Sequence, residues 1–102
     1  MIDKIRKLFF SREYNITRHA QERCDSREIS IEEIESVILT GDIVKNYPDD
    51  KPYPSCLILG YVRETEPLYV LLAYEEQAHI ITVHWLDPDK WLDPKTRREK
   101  TR

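Results

Sequence analysis

What this 102-residue chain has little of narrows its chemistry before any element is drawn. It has two glycines, Gly41 and Gly60, so no glycine-rich loop is present to cradle a nucleotide phosphate, and hydrolysis by a P-loop is excluded. Its two cysteines, Cys24 and Cys56, form no Cys-x-x-Cys pair and meet no second ligand at the usual spacing. That argues against a zinc site and against a disulfide framework, and reduced, buried thiols are expected. No apolar stretch is long enough to span a membrane. The short run Leu8-Phe9-Phe10 follows Lys4, Arg6 and Lys7 but leads to no small-residue cleavage site, so a cytoplasmic protein without membrane contact is expected.

The chain is 40% hydrophobic and 34% charged, enough apolar material for a modest core beneath a heavily ionised surface. One domain over residues 1–102 is expected, because a second core would need roughly 50 further residues. It divides into a helical arm over 2–13, a core over 14–86 and a basic tail over 87–102. The net charge of -3 hides an uneven distribution. Residues 1–27 hold seven cations against four acids, and the segment from Lys95 to Arg102 holds five cations against Glu99 alone. Both ends are therefore suited to phosphate, while the acidic middle repels it.

Ile2, Ile5, Leu8 and Phe9 recur at helical spacing and predict a short amphipathic helix over 2–10, read as a docking arm. Thr17 can cap a second helix through about Cys24, with Ile16, Ala20 and Cys24 forming its apolar edge. Ser30 with Glu33 is a capping box, followed by the stripe Ile31, Ile34, Val37, Ile38 of a third helix that Gly41 can close. After Gly41 the period changes. Ile43-Val44, then 56–62, 68–74 and 80–86 read as strands, the last three joined by turns at Arg63 to Glu66 and Glu75 to Gln77 into an antiparallel meander. The proline-rich stretch 47–54 reads as a stiff loop. The fold class is α+β: two to three N-terminal helices packed on a roughly four-stranded antiparallel sheet.

Two constellations point to chemistry. His19, Arg23 and Arg27 are spaced four apart, so a helix stacks them near one face. An imidazole beside guanidiniums is what cleavage of RNA through its own 2′-hydroxyl uses: a group near neutral pKa moves a proton, and fixed cations stabilise the phosphate without a metal or other cofactor. The alternative is structural, with His19 bonded to a backbone carbonyl and the arginines solvated or paired with Glu22 and Asp25. In the last strand, strict alternation sends Ile81, Val83 and Trp85 to the core and His84 to the opposite face, where it is a candidate for the second proton transfer or a plain surface residue. Arg18, Tyr47, Tyr74, Lys95, Arg97 and Arg98 are candidate RNA contacts, the rings for stacking on bases and the cations for phosphate.

Several strings carry a resemblance together. They are Ile16-Thr17-Arg18-His19-Ala20-Gln21-Glu22-Arg23, Arg27-Glu28-Ile29-Ser30, Tyr47-Pro48-Asp49-Asp50-Lys51-Pro52-Tyr53-Pro54-Ser55, Pro67 to Tyr74, Ile80 to His84, and Asp87-Pro88-Asp89-Lys90-Trp91. Over roughly residues 14–98 the chain resembles the domain-of-unknown-function family 4258, grouped with the RelE, barnase, EndoU and colicin ribonucleases. The resemblance implies a RelE-like fold and the toxin of a prokaryotic toxin–antitoxin pair, a metal-independent endoribonuclease acting on RNA, free or on the ribosome. It implies a cognate antitoxin as partner, of zinc-finger type in many members. The family's helix histidine falls on His19 and its arginines on Arg23 and Arg27. Two positions depart from the pattern, since Tyr69 stands where histidine is common and His84 where tyrosine is common. A non-catalytic protein-interaction or RNA-binding module is the alternative.

Overall fold

The structure is a computed structural model that describes residues 2–85 in full and the backbone of residues 91–93 and 96–97. Among the described residues, three helices pack on one face of a five-stranded mixed sheet, and a short two-stranded ribbon follows. The expected α+β class holds; the sheet has one strand more than expected.

Helix α1 (Ile2–Phe10) carries Asp3 in its first turn and Lys7 in its last, each matched to the helix dipole. Ile5, Leu8 and Phe9 are buried in the common core, so the helix expected as a docking arm is packed into the body of the fold. Arg6 ties it down further, its Nε donating to the Ile38 carbonyl at 3.0 Å and its Nη2 to that of Gly41 at 2.9 Å. These carbonyls lie at the end of α3 (Ile31–Thr40), which has no basic residue in its own last turn. Arg6 supplies the cation that this terminus favours. The Ser30–Glu33 capping box forms as read, and the Gly41 amide closes the helix on Val37.

The extra strand is β1 (Tyr14–Ile16), which lies parallel to β5 (Ala78–Trp85) and opens the strand order β1-β5-β4-β3-β2. Three residues between two helices carry too little alternation to be seen in sequence, and this strand makes the sheet mixed. The other strands, β2 (Asp42–Tyr47), β3 (Ser55–Val62), β4 (Glu66–Tyr74) and β5, are antiparallel neighbours, and the meander falls where the turns were read. β2 runs on to Tyr47, so the stiff loop begins one residue later than expected.

Cys56, Ile58, Leu68, Val70, Leu72, Ile80 and Val83 face the helices, meeting Ala20, Cys24, Ile34, Val37 and Ile38. Both glycines lie where α3 touches the sheet. A Cβ on Gly60 would come within 2.9 Å of the Val37 Cα, and one on Gly41 within 2.4 Å of the Leu59 carbonyl oxygen, so neither position accepts a side chain. Leu57, Leu59 and Tyr69 form a smaller buried cluster on the opposite face, with Val44 and Leu71 against it.

Strict alternation fails in β5. Leu71 pairs with Thr82 and Leu72 with Ile80, so Ile81 is an extra residue, a β-bulge. The bulge sends both Ile80 and Val83 into the core and leaves Ile81 half-buried, reversing the expected roles of Ile80 and Ile81. The pairing Trp91 with Arg97 joins two short strands, β6 (Trp91–Asp93) and β7 (Thr96–Arg97). No helix among the described residues is long and apolar enough to cross a membrane.

Candidate functional site

Helix α2 (Arg18–Arg27) begins at Thr17, whose Oγ1 accepts from the Ala20 amide at 3.2 Å, and ends at Glu28 in the left-handed conformation, with φ 57°. Ala20 and Cys24 are buried as expected. The helix is positioned by the edge of β5. β1 pairs only with Ala78 to Ile80, and beyond that point α2 and its cap serve the exposed edge in place of a strand. The Thr17 amide donates to the Ile80 carbonyl at 3.1 Å, the Thr17 hydroxyl to Ile81 at 3.3 Å, and Arg27 Nη1 to Val83 at 2.7 Å. The Trp85 indole donates back to the Arg27 carbonyl at 3.3 Å. The Thr17 amide and the Thr17 and Arg27 side chains thereby satisfy carbonyls at the edge that β1 leaves unpaired.

The row His19, Arg23, Arg27 therefore divides. His19 and Arg23 are exposed, and Arg23 Nε donates to His19 Nε2 at 3.5 Å. With the guanidinium donating, Nε2 is the accepting nitrogen of the imidazole in this arrangement. Arg27 is half-buried and committed to the Val83 carbonyl. Arg18 is 94% exposed beside its i,i+4 partner Glu22, with 3.9 Å between Nε and Oε2. At that distance and exposure the pair holds Arg18 only weakly, and an incoming phosphate competes with it.

His84 sits on the other face of the sheet. It stacks on its cross-strand neighbour Tyr69 with ring centroids 5.0 Å apart, and its Nδ1 lies 3.1 Å from the Trp85 carbonyl oxygen. The exchange of histidine and tyrosine noted in the sequence thus falls on two paired residues that touch. Tyr47 is partly exposed at the end of β2. Tyr74 is half-buried against the core, where burial first and the Cys56 thiol second raise its pKa. Burial likewise pushes the Cys56 thiol up to about 11. The side chains of Lys95, Arg97 and Arg98 lie outside the described residues.

Sequence reasoning passed over a second polar group, built on His79. Its Nε2 lies 3.0 Å from Glu75 Oε2 and its Nδ1 2.7 Å from the Asn15 amide nitrogen. With that amide donating, Nδ1 accepts and Nε2–H donates to the carboxylate. The Glu75 carboxyl is held below its ordinary range, first by the Glu76 amide and then by His79. Tyr53 from the 47–54 loop stacks on the imidazole, with centroids 5.9 Å apart and planes at 18°. A glutamate four residues before a histidine, across a three-residue turn, was the available signal. Among the described residues no group of three or more His, Cys, Asp or Glu side chains is placed to hold a metal ion.

The family described as "Domain of unknown function (DUF4258)" matches residues 16–85. The chain belongs to that family, and the matched span runs from the end of β1 through α2 to the end of β5. No curated protein and no solved structure matches the chain.

Proposed function

We propose that the protein is the toxin component of a prokaryotic toxin–antitoxin pair, a RelE-like endoribonuclease that cleaves RNA through the 2′-hydroxyl. The observation that carries the reading is the exposed His19–Arg23 pair at 3.5 Å, on a helix whose Arg18 is open to solvent. A phosphate entering this surface draws the guanidinium from the imidazole and leaves Nε2 free. His19 then takes the 2′-hydroxyl proton as the 2′-oxygen bonds to phosphorus, Arg23 and Arg18 stabilise the pentacovalent phosphate, and the 5′-oxygen leaves with a proton from solvent. The products are a 2′,3′-cyclic phosphate and a free 5′-hydroxyl, and the chemistry calls for no metal. Arg27 acts as a positioning residue, holding α2 to the edge of β5.

The test is expression without the antitoxin. The wild-type chain arrests growth, and His19→Ala and Arg23→Ala relieve the arrest while accumulating to the same level as folded protein. Arrest that persists in both variants removes the site.

One observation favours a second reading, a non-catalytic interaction module. Phe10 is 88% exposed and Leu39 is 48% exposed, beside an open groove of about 600 Å³ between α1 and α3. On this reading Phe10→Glu abolishes the biological effect and His19→Ala does not.

A further inference from the structure

The proline-rich loop between β2 and β3 closes a cavity of about 240 Å³ against β5, lined by Thr17, Asp50, Lys51, Tyr53, His79 and Ile81 among others. Its wall is aromatic, with the Tyr53 ring 40% exposed and backed by the His79 imidazole. Both imidazole nitrogens are engaged, by Asn15 and by Glu75, so His79 is fixed as a rigid support for that ring. The Asp50 carboxylate is fixed too. Ser55, fully buried, donates its hydroxyl to Asp50 Oδ2 at 2.7 Å, and the Asp50 amide donates to the Tyr47 carbonyl at 3.2 Å. The bulge at Ile81 supplies the apolar floor, a residue that regular alternation would have turned inward. Lys51 adds a cation at the rim.

We propose that this pocket holds one nucleobase of the bound RNA, stacked on Tyr53 with an exocyclic amine donated to the Asp50 carboxylate. Three features define the ligand. The exposed aromatic face suits a flat heteroaromatic ring. A fixed carboxylate selects rings that present an exocyclic amine, as adenine, cytosine and guanine do, over uracil, whose N3–H lies between two carbonyl oxygens that the carboxylate repels. The cavity adjoins the phosphate surface, because Thr17 both lines it and caps the helix that carries Arg18, His19 and Arg23. A base seated here has its phosphate at the start of α2, so the 47–54 loop sets base preference and α2 carries the reaction. This inference rests on RNA being the ligand.

The test is titration of the full chain with AMP, CMP, GMP and UMP, followed by NMR and repeated with variants. AMP, CMP and GMP are expected to shift Tyr53 and His79 signals and to bind about fivefold or more tightly than UMP. Tyr53→Ala weakens binding about tenfold, Tyr53→Phe keeps it, and Asp50→Asn brings the four nucleotides to parity. Equal binding of all four by the wild type, or a Tyr53→Ala variant that binds as well as wild type, overturns the pocket assignment. The two proposals fail separately. Nucleotides that bind as described to a chain that cleaves no RNA leave the pocket standing without the ribonuclease. Cleavage whose KM and base preference ignore Tyr53 and Asp50 leaves the ribonuclease standing without the pocket.

Discussion

Two arginines one turn apart on α2 are put to different uses. At mid-helix, Arg23 lies in solvent against His19. One turn further on, Arg27 is half-buried, donates to the Val83 carbonyl, and receives the Trp85 indole at its own carbonyl. The difference lies in what the row of side chains passes. Where β5 has lost its β1 neighbour, a bare carbonyl takes up the guanidinium, because a backbone acceptor left unpaired in a part-buried setting costs about 1–3 kcal/mol. Where the row passes open water, the guanidinium stays available to an anion. The structural end extends through a second arginine: Arg63 donates to the Glu28 carbonyl and to Glu33, and its guanidinium lies 4.9 Å from the Trp85 ring centroid.

The comparison is broken most easily at its functional end. His19→Ala and Arg23→Ala are each expected to lower RNA cleavage by about 10²- to 10⁴-fold. Both are exposed, so unfolding free energies should stay within about 0.5 kcal/mol of wild type in urea titrations. Arg27→Ala is expected to do the reverse, with a loss of about 2 kcal/mol and a melting temperature roughly 8–15 °C lower, measured by circular dichroism. A variant at Arg27 that melts like wild type would place it with the functional pair. Thr17→Ala, which removes both the helix cap and the donor to Ile81, should cost about 1–2 kcal/mol and speed hydrogen exchange at the Ala20 amide.

The smallest effect is on pH. The Glu33 carboxyl is lowered, chiefly by its hydrogen bond to Arg63 and also by the Ser30 amide. A carboxylate with a depressed folded pKa contributes stability that is complete above its unfolded value and is lost as pH falls through the folded one. With Arg63 about half exposed, solvent screens the pair and the contribution is small. Acid titration of wild type against Glu33→Gln should show the stability difference shrinking below the ordinary glutamate range.

Much of this frame was legible, and the failures share a cause. Ser30 with Glu33, Thr17, Gly41 and both hairpin turns were read from local chemistry, and each is settled within a few residues. β1 was missed because its pairing with β5 joins residues more than sixty positions apart. The bulge at Ile81 was missed because an inserted residue looks the same in sequence as one in register. Arg27 looked equivalent to Arg23 for the same reason, since the carbonyl that binds it belongs to a strand 56 positions away. The Asn15–His79–Glu75 group was half visible, its i,i+4 pair being local and its asparagine not.

The most direct measurement of the central claim is the chemistry of the cut ends. Purified wild-type chain incubated with RNA, with and without ribosomes, should leave 2′,3′-cyclic phosphate and 5′-hydroxyl termini, and a His19→Ala protein of unchanged melting temperature should leave the RNA whole. Intact RNA in every wild-type reaction, or the same termini from the His19→Ala protein, would contradict it.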